Sequence, residues 1–327
     1  MSTYKEIQGT AVQNVAGDPS NPVEGQLWYN STTGAFRIKQ QDAGGAWSTG
    51  GQLNTGKMSG AGGGTQTSTL AFAGKDSGFG NLNSVEAYNG STWTAKNTMN
   101  TQRAYMGGVG ATNTAVLAIA GGDPGYFGEV ESWSGTNWTE VTNVNTARRG
   151  LAAAGTQTAA VAMGGQAPGV PGDNSVFTEI WNGSNWTNVN NLNNGRRDLA
   201  GSGTSTSALV VGGNPPTNIA ESWNGSNWTS ISNANASKEK SGASGSSNTS
   251  FLVFGGSPYI AATESWNGST WTELNDLNVG VQTNTGTGTQ GSAISVGGFS
   301  SPPSTVGTTA TEEWNAPAVI TKTITTT

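Results

Sequence analysis

Glu221-Ser222-Trp223-Asn224-Gly225-Ser226-Asn227-Trp228-Thr229 decides the fold, because the same phrase returns throughout the chain. Written as Glu-x-Trp/Tyr-Asn-Gly-Ser-x-Trp-Thr, it also begins at Glu86, Glu131, Glu179 and Glu264, and Glu312-Glu313-Trp314-Asn315 is a truncated sixth copy. In the Glu131 copy, Ser134 and Thr136 stand for the Asn and the Ser. Successive copies start 42 to 48 residues apart, and a near-constant period of that size marks a repeat architecture. Before each copy lies a run of small apolar residues ending in glycine, at 70–74, 117–122, 160–165, 208–213, 251–256 and 293–298. After a copy comes a linker with a basic residue, then a segment rich in Gly, Ala and Ser such as 150–155.

Each period therefore predicts four short strands: one Gly-rich, one a buried run ending at the glycines, one carrying the Glu and an aromatic, one opening on the second Trp. Asn-Gly between the last two predicts a hairpin turn, since both residues tolerate positive φ. Four strands per period of about 45 residues describe a propeller blade. The sixth copy stops before its fourth strand. Upstream, 47–57 aligns without a gap to 93–103 and supplies an orphan fourth strand. The reading is all-β: a six-bladed propeller over 47–316, closed by 47–49 entering the last blade. An N-terminal arm of 1–46 precedes it, and a Thr-rich tail of 317–327 follows. Such closure leaves no open edge to template aggregation. Eleven of the 12 tryptophans fall at repeat positions, Trp28 being the exception, and that regularity predicts packing between sheets.

Composition narrows the chemistry. The 327 residues include 50 Gly, 33% hydrophobic and only 10% charged residues, with no His and no Cys. Cys/His metal sites, thiolate nucleophiles and His-relay catalysis are thereby excluded. A net charge of −6 argues against nucleic acid as a partner. No apolar run is long enough to span a membrane. Residues 1–6 lack the apolar run of a secretory signal, so display outside a cell implies another route, such as assembly into a phage particle released by lysis.

The glycine doublets, the Glu-x-Tyr/Trp strand, the Trp-Thr strand and the basic residue before the next Gly-rich strand resemble kelch-repeat propellers over roughly 47–316. Three departures stand out. Lys75 replaces the second glycine of the first doublet, the sixth linker reads Val279-Gly280-Val281 with no Arg, and the aromatics are five apart, one fewer than usual in kelch turns. Kelch-type copper oxidases need Cys and His, which this chain lacks. None of its tyrosines forms an evident set with Glu and Arg for sialidase-type catalysis. Catalytic residues, cofactor and metal are therefore expected to be none. Residues 25–39 read as a hairpin with an Asn-Ser-Thr-Thr-Gly turn and look like attachment segments near the N-termini of tail- and fibre-associated virion proteins of marine-type phages. The resemblance implies contacts with other phage structural proteins through this arm, with Trp28, Tyr29 and Phe36 as candidates, and a location on the particle surface.

Eight of the 14 basic residues fall in the inter-blade linkers: Lys57, Arg103, Arg148, Arg149, Arg196, Arg197, Lys238 and Lys240. Two readings are open. They form a positive collar facing an acidic ligand, or each pairs with a repeat glutamate. Pairing consumes one basic residue per linker and leaves Arg149, Arg197 and Lys240. These three, with Tyr126, Phe127 and Tyr259 on the variable loops after the glycine doublets, are the candidate ligand-binding residues, since binding concentrates on loops above a rigid scaffold. The expected role is recognition of a host surface molecule, a glycan above all. A passive decoration protein and a bacterial adhesin are the alternatives.

Overall fold

A computed structural model describes residues 12–23, 25–41, 45–300, 307–316 and 319–324. The chain divides into two compact units, Ala46–Asn315 and Met1–Gly45 with Ala316–Thr327. The larger unit is the six-bladed propeller. Its first blade consists of Ala61–Thr65, Ser68–Phe72, Val85–Tyr88 and Trp93–Lys96, each strand antiparallel to the next. The following blades begin at Gly107–Thr112, Ala152–Gly155, Ala200–Thr204 and Gly242–Ser247. The sixth contains Thr285–Gly288, Ser292–Val296 and Thr311–Asn315, and its fourth strand is Ala46–Thr49, paired so that Trp47 faces Trp314. The propeller is thus closed by a strand from the N-terminal end of the repeat region, as the blade count requires.

The first strands of all six blades neighbour one another in a closed ring. Their glycines permit that approach: a Cβ on Gly63 would come within 2.9 Å of the Val109 and Gly110 backbone in the next blade. The core is divided into six clusters, one per blade interface. Leu70 and Phe72 of the first blade pack with Trp133 and Trp138 of the second, Leu117 and Ile119 of the second with Trp181 and Trp186 of the third, and so on round to Ile294 and Val296 against Tyr88 and Trp93. In each blade the paired aromatics face one another across the third and fourth strands, as Trp223 faces Trp228 with ring centroids 5.3 Å apart. Burying such side chains contributes about 2–3 kcal/mol each, so the repeated tryptophans are the glue between sheets.

The Asn-Gly turn differs from its expectation. With Trp223 opposite Trp228, the loop has four residues, and Asn224 does not take a positive φ; only Gly225 does, at +91°. The Asn224 side-chain oxygen instead accepts the Ser226 and Asn227 N–H groups at 3.0 and 2.9 Å, an Asx turn that the residue type serves equally well.

The smaller unit is a mixed four-stranded sheet. Leu27–Asn30 and Ala35–Gln41 form the hairpin, Gln13–Val15 runs parallel to the first of these, and Val319–Thr323 pairs antiparallel with the second. The Thr-rich tail is therefore no separate appendage: Val319–Thr323 supplies the sheet's fourth strand. Residues 1–11, at the start of the expected arm, lie outside the described residues.

Candidate functional site

The repeat glutamates settle which basic residues belong to the scaffold. Lys57 meets Glu86 at 3.4 Å, Arg103 meets Glu131 at 3.2 Å, Arg196 meets Glu221 at 3.1 Å and Lys238 meets Glu264 at 3.0 Å, while Arg148 bonds Glu179 directly. All ten side chains are buried. Each carboxylate also caps its linker; Glu131, for example, accepts the Asn100 N–H at 2.8 Å. Burial pulls the pKa values of Lys57, Arg103, Arg148 and Arg196 down, and the paired glutamates push them back up. These pairs fix the path of the chain into each blade and leave no charge for a ligand.

Immediately after those residues, the linkers form a second ring at the mouth of the central channel. Ser59, Tyr105, Gly150, Asp198, Lys240 and Thr283 occupy equivalent places, and all six have φ between 54° and 62°. Their backbones hydrogen-bond in a closed cycle: each N–H donates to the carbonyl of the preceding member, at 2.7 to 3.0 Å. The left-handed conformation costs a non-glycine residue about 1–3 kcal/mol, so five of these positions carry strain that the cycle holds in place. The backbone here is six-fold regular, but the side chains are all different. They line a cavity of about 140 Å³. Burial raises the Asp198 pKa above the ordinary carboxylate value, against the lowering pull of Lys240 and Arg197.

Tyr105 joins this mouth to a polar cluster on the adjoining loops. Asp123 binds Arg149 at 2.8 Å and also pairs with Lys75. The two cations pull the Asp123 pKa below its ordinary value, although its burial acts the other way. The Arg149 guanidinium lies 5.4 Å from the Tyr126 ring centre and 5.9 Å from that of Tyr105, and the Lys75 ammonium lies 5.7 Å from Tyr105. Gln166 accepts a hydrogen bond from Arg149 Nε at 3.0 Å. Two half-buried rings, two cations and a carboxylate thus meet at the junction of the first three blades.

The sequence candidates are dispersed by the fold. Arg149 and Tyr126 come together in this cluster. Phe127 opens the third strand of the second blade and is half-buried. Arg197 donates to Asn174 Oδ1 at 3.1 Å and lies 3.9 Å from Asp198, and Lys240 lies 3.6 Å from Glu239. Tyr259 packs on Phe299, with centroids 5.6 Å apart. In the smaller unit, Trp28 is fully buried and donates to Asp18 at 3.1 Å. It is core, where the sequence reading made it an attachment contact. Tyr29 stacks against Phe36, which is 47% exposed. The sequence reading missed Lys75, Tyr105, Asp123 and Asp198 as site residues. Lys75 had a signal, the break in a glycine doublet; the mouth residues had none, because only the fold shows that six dissimilar residues share one position.

No family model and no curated protein matches this sequence. In fold it is similar to the solved structure of YjhT, a kelch-type β-propeller, with a TM-score of 0.62 over 80% of this chain and 96% of that one, at 11% identity. At that identity the likeness is one of fold alone.

Proposed function

We propose that this chain is a tail- or fibre-associated structural protein of a phage virion, and that its propeller displays a binding face for a host-surface glycan. One observation carries the reading: Lys75, Tyr105, Asp123, Tyr126 and Arg149 form a cluster on the loops at the channel mouth, where the repeat is broken and no packing role demands those residues. Tyrosine rings offer flat apolar faces to a sugar ring. A carboxylate between two cations supplies fixed donors and acceptors for hydroxyls and for acidic substituents. The chain has no His or Cys, and this chemistry suits binding rather than catalysis. The smaller unit, with Phe36 exposed, is the attachment arm.

The test uses the full chain, applied to immobilised bacterial surface polysaccharides. Saturable binding is expected, weakened about tenfold or more by Arg149→Ala as for other central aromatic or arginine contacts. Absence of binding to every polysaccharide, or an Arg149→Ala variant that binds like the wild type, overturns the glycan reading. Immunogold labelling of particles tests the virion assignment: label at the tail tip or fibres supports it, label along the shaft or head favours decoration, and unlabelled particles refute it.

A further inference from the structure

The sixth blade breaks the ion-pair rule, and the geometry points to a monovalent-cation site in the gap. Glu312 is held as the other repeat glutamates are. Asn278 donates its N–H and its side-chain Nδ2 to Glu312 at 2.8 and 2.6 Å, just as Asn54 donates both to Glu86 at 2.7 and 2.8 Å. Three residues after that Asn stands the cation in every other linker: Lys57, Arg103, Arg148, Arg196 and Lys238. In the sixth the place is taken by Val281. Glu312 is nevertheless only 7% exposed, and among the described residues no Lys or Arg pairs with it. A carboxylate taken out of water without a counter-charge is costly.

Space and ligands are both present. A cavity of about 20 Å³ is lined by Val279, Val281, Ser295, Thr308 and Glu312, and roughly 10–15 Å³ is enough for one water-sized occupant. The third blade shows what the place is built to hold. There the Arg148 guanidinium binds Glu179 and donates to the Thr146 carbonyl at 3.2 Å and the Ala162 carbonyl at 3.3 Å. Thr146 follows Asn145 as Val279 follows Asn278, and Ala162 faces Glu179 across the strands as Ser295 faces Glu312. The cavity thus lies where the repeat places the guanidinium, with a valine in the cation's position, and Val279 and Ser295, which line it, correspond to the two residues whose carbonyls accept from Arg148. One carboxylate balances one positive charge. A divalent ion would keep an unbalanced charge here, and it takes six to eight oxygens or a rigid octahedron with retained waters. Sodium, potassium or ammonium matches the single charge.

Thermal unfolding of the full chain tests this at one fixed ionic strength, in the chloride salts of sodium, potassium, ammonium and the bulky N-methyl-D-glucamine. At least one small cation is expected to raise Tm above the N-methyl-D-glucamine value by roughly 2–4 °C, as ligand in about tenfold excess over its dissociation constant does for a domain this large. Glu312→Gln, which keeps the shape and removes the charge, is expected to abolish the dependence on the cation, and so is Val281→Arg, which supplies the cation covalently. Equal Tm values in all four salts, or a cation dependence that survives Glu312→Gln, overturn the site. The isosteric Gln variant keeps the test decisive even where the larger arginine disturbs packing.

Discussion

Arg148 and Arg149 are neighbours in sequence and opposites in the fold. Arg148 is fully buried, bonds Glu179 and two backbone carbonyls, and has a counterpart in four other linkers. Arg149 keeps about a quarter of its side chain exposed, bonds Asp123 and lies beside two tyrosine rings; Arg197 holds the same place in the next linker but meets Asn174 and Asp198 instead, and the other linkers carry no cation there. The difference separates two kinds of residue throughout the molecule. Whatever repeats with the blade holds the blade, and whatever breaks the repeat on the mouth face is released from that duty. The sequence feature that looks most functional, a periodic set of buried cations, is scaffold; the irregular remainder forms the candidate site.

The largest expected effect comes from removing a repeated element outright. Without residues 1–50, Thr311–Asn315 loses its partner strand and Trp314 loses Trp47, leaving an open hydrophobic edge. Such a truncation is expected to aggregate or to lose its cooperative melt, observed by size exclusion and calorimetry. A soluble monomer melting cooperatively near the wild-type temperature would show that closure is dispensable. Next in size is the contrast within the pair of arginines. Arg148→Ala strands a buried Glu179 and is expected to cost about 3–5 kcal/mol in denaturant unfolding. Arg149→Ala, at a pair about a quarter exposed, is expected to cost about 1 kcal/mol or less. Equal costs would erase the distinction between scaffold and site.

That contrast also explains what could be read from the sequence. The blades, their number and the closing strand were legible because every one leaves a periodic trace in Gly, Glu, Trp and basic residues. The buried pairs were legible as one of two options, since a single periodicity serves a ring facing outward or a set facing its own glutamates; only burial decides. Trp28 was misread for the opposite reason. It lies outside the repeat, so no pattern showed that it packs inside its own small sheet against Asp18. The mouth ring was invisible because its signal is conformational. Ser, Tyr, Gly, Asp, Lys and Thr have no common chemistry, and they are united only by a left-handed backbone and a cycle of six hydrogen bonds.

The smallest effect is a gain, and it comes from restoring the repeat where it lapses at the opposite end of the sheets. There the hairpin between the first two strands of a blade carries an amide that reaches the preceding blade. Gln66 donates to the Trp314 carbonyl at 2.6 Å, Asn113 to Tyr88 at 2.9 Å, Asn248 to Trp223 at 3.0 Å and Gln290 to Trp266 at 2.7 Å, while Gln157 bonds the Trp133 carbonyl. The fourth blade has Ser205 at this position. Its carbonyl accepts the Trp223 indole N–H at 3.1 Å, as the repeat requires, but its hydroxyl is too short to span to the third blade. Asn113 and Asn248 sit in two-residue loops like that of Ser205, flanked by the pairs Thr112–Ala115, Ser247–Ser250 and Thr204–Ser207. Ser205→Asn is therefore expected to add one interblade hydrogen bond, about 0.5–1.5 kcal/mol, read as a rise of roughly 1–5 °C in Tm. An unchanged or lowered Tm would mean that the interface of the third and fourth blades is already satisfied by its tryptophans, and that the amide latch is an ornament of the other five interfaces rather than part of what holds the ring closed.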